Sequence, residues 1–230
     1  MFYFDPLYLL FTLPFVALSV WASHRVKGTF RYYNQIPIRS GYTGSETAQM
    51  MLRGAGIHDV QIESVAGMLS DHYDPTRKVV CLSEEILHGR SAAAVAVAAH
   101  EVGHAIQDAE GYQPMHWRHA MVPGVNIGSQ LAFPLLLGGF LLNVGGLAWL
   151  GVLAFSLAVV CHIVTLPVEY DASFRAFKIL QGSGIVADDE MAGVKKTLYS
   201  AGFTYVAAAL ASVGQLIYFA MAAAGINSND

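Results

Sequence analysis

Apolar positions in this chain gather into long uninterrupted stretches, separated by two segments where polar residues recur at helix or strand spacing. Residues 2–22 carry no charge beyond Asp5, and Arg25 and Lys27 follow the apolar run instead of preceding it, which is not the order of a secretory signal peptide. Residues 131–168 form one apolar run. At about 1.5 Å per residue that run is far longer than the ~30 Å hydrocarbon core of a bilayer. Asn143-Val144-Gly145-Gly146 offers a turn inside it, so it divides into two antiparallel helices near 127–142 and 147–167, the first short enough to be re-entrant. A last apolar run covers 203–224 and is followed by the polar tail Asn227-Ser228-Asn229-Asp230. The pattern predicts four membrane spans.

Between the runs the periodicity changes. Thr43 and Glu46 have the spacing of a helix capping box, and Gly54 and Gly56 supply a stop. Val60 to Val65 alternates apolar and polar, as a half-buried strand does, and Lys78 to Leu82 reads as a second strand. Asp71-His72-Tyr73-Asp74-Pro75 between them reads as a turn, giving a helix followed by a hairpin. Ser91 can cap an alanine-rich helix that continues to Gln107, with Gly111 as its stop. The expected fold class is therefore mainly α: a polytopic membrane protein, residues 1–230 as a single membrane-embedded domain, carrying a small cytoplasmic α+β unit.

Composition and charge fit that expectation. Hydrophobic residues make up 54% of the chain and charged residues only 13%, about half the share usual in soluble domains. All 13 Lys and Arg residues lie within 23–126 or 168–202. By the positive-inside rule both segments face the cytoplasm, both chain ends face outward, and four spans satisfy the arrangement. The expected location is a cell (inner) membrane, multi-pass, with lipid bilayer as a partner. The net charge of −4 and the lack of a basic stripe argue against nucleic acid. Cys81 and Cys161 are far apart and in unlike surroundings, so they read as free thiols and not as ligands.

The chemistry lies on the alanine-rich helix. His100-Glu101-Val102-Gly103-His104 is an HExxH motif. Residues four apart share a helix face, so the two imidazoles can grip one zinc ion, and Glu101 beside them can act as general base on a water that zinc acidifies. Nine His and eight Glu in 230 positions give a chance HExxH in only about 1% of such chains, and here the polar trio interrupts an apolar helix. The intact Glu101 also favours an enzyme over the alternative, a non-catalytic membrane scaffold or adaptor with a structural or relic metal site. A catalytic zinc wants a third protein ligand. The metzincin pattern fails, because Gln107 and Glu110 stand where Gly and His are required. Glu169 is a candidate on the same side of the membrane, yet a carboxylate there serves equally well as the polar end of a span.

In these features the chain resembles the membrane zinc metallopeptidases of the YugP type, and more distantly the HtpX proteases. The matching pieces are Thr43-Gly44, Asp71 to Pro75, Ala98 to Gln107, and Leu166-Pro167-Val168-Glu169-Tyr170-Asp171-Ala172-Ser173. The resemblance implies a zincin-like, gluzincin-type endopeptidase acting on protein or peptide substrates, with His100, His104 and Glu169 as zinc ligands and Glu101 as base. The HtpX pattern has Asp four residues after the ligand Glu, where this chain has Ser173. Asp171, Asp108 and His162 are the candidates for orienting the ligands from behind, while His116 and His119 read as surface histidines more than as oxyanion donors. The strand at 78–82 could pair with an extended substrate.

Overall fold

The computed structural model describes residues 6–227; the first residues of the expected N-terminal span and the polar tail from Ser228 lie outside the described residues. The element order is α1 (Pro6–Asn34), α2 (Gly44–Gly54), β1 (Gln61–Val65), β2 (His72–Asp74), β3 (Val79–Ser83), α3 (Glu84–Leu87), α4 (Ala92–Ala109), α5 (Gln113–Leu142), α6 (Gly145–Ser183) and α7 (Met191–Asn227). Contacts divide the chain into two compact units. The first comprises residues up to Ala22, Trp117–Leu166 and from Thr204 onward; the second comprises Ser23–His116 and Pro167–Phe203.

The first unit is all helix. The α1, α5, α6 and α7 helices are each long and apolar enough to cross a membrane. Large apolar side chains stand bare on their surface, with Leu141 75%, Phe133 68% and Leu153 65% exposed. Water would penalise such a surface, whereas hydrocarbon is a neutral solvent for it. With no hydrophobic force to press helices together in lipid, small residues must bring backbones close. A Cβ on Gly139 would stand 2.4 Å from the Ala148 backbone nitrogen, and one on Gly151 would stand 2.7 Å from Leu136. The α5–α6 turn closes with the Val144 N–H donating to the Gly139 carbonyl at 2.9 Å while Asn143 takes a left-handed φ of 53°. The α5 helix is continuous from Gln113 to Leu142, longer than the arm expected near 127–142, and accommodates Pro123 and Pro134. The α6 helix runs unbroken through Pro167, and α1 and α7 extend past their apolar runs.

The second unit is a small mixed α+β body. Its three strands are ordered β1-β3-β2, with β1 parallel and β2 antiparallel to β3. This corrects the expected hairpin of the two longer strands. The segment read wholly as a turn contains β2, whose Tyr73 is buried between an exposed His72 and a half-buried Asp74. The turn itself lies one step later: the Asp74 carboxylate accepts from the Thr76 and Arg77 backbone N–H groups at 2.9 and 3.1 Å. Because β3 is central and paired on both edges, it has no free edge for an extended substrate, and that reading of residues 78–82 is also corrected. All five residues of β3 are buried.

The α2 helix forms where the sequence places it, because Thr43 and Glu46 complete both arms of their capping box. The Ser91 hydroxyl accepts from the Ala94 N–H at 3.1 Å and starts α4. Residues Ala92–Ala96, Ala98 and Ala99 are almost wholly buried, so α4 runs through the core of this unit. Cys81 is buried, and both cysteines are free.

Replacing Gly139 with Val should lower the unfolding temperature of the detergent-solubilised protein, at a cost of about 1–3 kcal/mol for forcing a branched side chain into a closed helix contact. Gly146, which has open space around its Cβ position, is the control that should change little.

Candidate metal centre

The α4 helix meets α6 at a point where one residue has no side chain. A Cβ on Gly103 would lie 2.6 Å from the Ala172 carbonyl oxygen and 3.1 Å from its Cα. The two backbones therefore approach as closely as glycine permits. This contact fixes what one turn of each helix can present to the other.

From α4 come His100 and His104, one turn apart, their rings 4.7 Å between centroids and near perpendicular at 79°. From α6 comes Glu169, 1% exposed. Its Oε2 lies 3.2 Å from His100 Nε2 and 3.6 Å from His104 Nε2. One ligand atom from each of the three residues lies within 4.8 Å of the others. Glu101 is 7% exposed beside them.

The donor set fits a divalent metal. Two imidazole nitrogens and one carboxylate oxygen converge. The 3.2 and 3.6 Å separations bracket the ~3.3 Å edge of a tetrahedron built on bonds of about 2.0–2.1 Å. Burial pushes the Glu101 carboxyl up; the two imidazoles oppose this, the Glu169 and Asp71 carboxylates reinforce it, and the net shift is upward. Burial alone would pull the His104 ring down, but the Glu169 and Glu101 carboxylates and Gln107 hold it above its ordinary value.

Each imidazole is held from behind through Nδ1. His100 Nδ1 lies 3.1 Å from the Ser173 hydroxyl. His104 Nδ1 lies 3.0 Å from Gln107 Oε1. An amide oxygen can only accept, so His104 carries a proton on Nδ1, which leaves Nε2 as the nitrogen facing Glu169. The fully buried Gln107 then uses its NH2 group to donate to the Val168 carbonyl and to Asp171 Oδ2, both at 2.8 Å. Asp171 also accepts from Arg175 Nε at 2.5 Å, and Arg175 NH1 reaches Glu110 at 2.5 Å. A chain of polar contacts thus runs from Glu110 to His104 and stitches α4 to α6.

The sequence-derived residues divide cleanly. His100, Glu101, His104 and Glu169 come together, and Asp171 reaches His104 through Gln107. Asp108 does not: its carboxylate accepts from Lys78 Nζ at 2.7 Å and from the Tyr73 hydroxyl at 2.9 Å, one turn beyond the centre. It anchors the sheet to α4. Burial would raise its pKa, but those two donors leave it lowered. His162 does not either. It is exposed on α6 two turns from Glu169, about 10 Å along the axis, too far to touch a ligand. Gln107 and Ser173 were missed as supports. The available signal for Gln107 was a polar residue three positions after His104 within an apolar helix face.

Four helices long and apolar enough to cross a membrane, with His100 and His104 on α4 converging on Glu169 of α6, define the class as a membrane protein with a candidate metal centre. Residues 8–224 match the family described as "Putative neutral zinc metallopeptidase", and the chain belongs to that family. It is 46% identical over 215 residues, 94% of its own length and 96% of the other's, to "Putative membrane protease YugP" of Bacillus subtilis (strain 168). No solved structure matches the chain.

Gly103→Ala should separate α4 from α6 and spoil the convergence of donors without touching a ligand. The expected result is a loss of most bound metal per protein, measured by elemental analysis, with the chain still folded by circular dichroism. Metal content equal to that of the parent would show that the Gly103–Ala172 approach is not needed.

Proposed function

We propose that the protein is a zinc-dependent endopeptidase embedded in the membrane, hydrolysing peptide bonds with Glu101 as general base and His100, His104 and Glu169 as the metal ligands. The observation that carries this reading is the convergence of three donor atoms within 4.8 Å, two from α4 and one from α6, beside Glu101. Membership of a zinc metallopeptidase family supports the choice of metal and reaction.

Zinc held by these three residues supplies the Lewis acidity that activates water and stabilises charge on the scissile carbonyl oxygen. The protein's own groups do the rest. Glu101 takes a proton as the water oxygen bonds to the carbonyl carbon. It gives that proton to the amide nitrogen as the C–N bond breaks, so one water is consumed and two peptide ends are released. A carboxyl whose pKa is raised by burial holds the transferred proton more readily. Gln107 and Ser173 keep the two rings in one orientation, so little reorganisation accompanies the reaction. The residues form one metallopeptidase domain with the active site facing the cytoplasm, an orientation supported by the one-sided Lys and Arg distribution.

Glu101→Gln should retain zinc and lower cleavage of an unfolded protein such as casein by roughly 10²–10⁴-fold, while Glu169→Ala loses most zinc and all activity and Asp171→Ala weakens the site less. Full zinc in Glu169→Ala together with loss in Asp108→Ala would move the third ligand elsewhere. For the orientation, a cysteine introduced at Ser228 should react on intact cells with a membrane-impermeant thiol reagent. Labelling only after lysis would reverse the topology.

A further inference from the structure

Beside the metal centre, two cavities in the second unit share part of their lining. One, of about 340 Å³, is lined chiefly by apolar groups, among them Phe174, Phe177 and Leu198. The other, of about 680 Å³, is polar and cationic, with Arg25, Thr29, Tyr32, Lys196 and Ser200 in its wall. Tyr170 and Tyr199 belong to both. Neither cavity has an Asp or Glu among its lining residues.

Their place along the helices matters. Arg25 stands three residues after the apolar run of α1 ends at Ala22, and Lys196 stands seven residues before that of α7 begins at Phe203. Tyr170 follows Pro167 by three residues on α6. The lining residues thus come from the segments of α1, α6 and α7 that continue beyond their apolar runs, on the side of those runs where lipid headgroups lie. Tyr32, Tyr199 and Phe174 are 62%, 63% and 56% exposed, which leaves aromatic surface available to a bound molecule. Lys195 and Lys196 sit over the rings of Tyr199 and Tyr33, at 5.7 and 6.0 Å, and among the described residues neither has a carboxylate partner. An apolar slot that shares Tyr170 and Tyr199 with a cationic, hydroxyl-rich chamber matches a molecule with an anionic head and a hydrocarbon body.

We propose that these joined cavities bind one anionic phospholipid, its phosphate held by Arg25 and Lys196 and its glycerol and upper acyl chain laid along Phe174, Phe177 and Leu198. Free phosphate would satisfy only the cationic half, and a zwitterionic lipid brings a second positive charge to a site already positive. Ser173 lines the apolar cavity and contacts His100, so the lipid lies one side chain from the metal centre.

The test uses the full chain in non-ionic detergent, with short-chain phosphatidylglycerol, phosphatidylcholine of the same chains, and inorganic phosphate as separate probes. Native mass spectrometry gives stoichiometry and calorimetric titration gives affinity. Phosphatidylglycerol should bind saturably at one per chain, more tightly than either other probe. Lys196→Gln should weaken it roughly fivefold and the Arg25→Gln/Lys196→Gln pair roughly thirtyfold, at about 1 kcal/mol per cation near the surface. Lys27→Gln, the same charge change in the same region but outside both cavities, should leave it unaltered. Equal losses in Lys27→Gln would reduce the effect to general attraction between a basic surface and an anionic lipid. Equal affinity for phosphatidylcholine or for inorganic phosphate would overturn the proposal, as would no saturable binding. Because binding and not proteolysis is read, the result is independent of the reaction proposed above.

Discussion

The close approach of α4 to α6 at Gly103 and Ala172 is the constraint on which the centre depends. A helix can place two histidines on one face, but it cannot enclose a metal by itself. The third donor has to come from a neighbour, and a carboxylate is short. Glu169 reaches both imidazoles only because the backbones meet with 2.6 Å between a virtual Cβ and a carbonyl oxygen. A single methyl at position 103 would occupy that space.

The polar contacts behind the centre follow from the same approach. Burying a carboxylate and two imidazoles in an alanine-lined core is costly unless each polar atom has a partner. Ser173 serves His100, and Gln107 serves His104 while binding α6 at the Val168 carbonyl and at Asp171. Asp171 is itself held by Arg175, which also ion-pairs with Glu110. Orientation of the ligands and attachment of the helices are thus one set of bonds, and a change in either affects the other.

The membrane helices obey a different logic. In the second unit, apolar burial holds the sheet and α4 together. In the first, large apolar residues face outward while Gly139 and Gly151 face a neighbouring helix, because lipid removes the incentive to hide leucine and leaves backbone proximity as the source of contact. The alanine-rich half of α4 belongs to the first kind of packing although its composition resembles the second.

Much of this was legible in the sequence alone. Residue order determined the four apolar helices, the Thr43–Glu46 and Ser91 caps and the glycine stops, because these depend on neighbours a few positions apart. It also determined that His100 and His104 share a face with Glu101 beside them. The tertiary structure alone decided the rest. The parallel pairing of β1 with β3 arises because β2 runs antiparallel along the other edge of β3, and Tyr73 shows its burial only when α4 lies over it. Asp108 and Asp171 look alike as carboxylates near a ligand, yet one binds Lys78 and Tyr73 while the other supports His104 through Gln107. Glu169 could be the polar end of a span or a ligand until α6 was placed against α4. Local rules fix what a segment becomes, but which side chains meet across 60 or more residues depends on how closely two helices can pack.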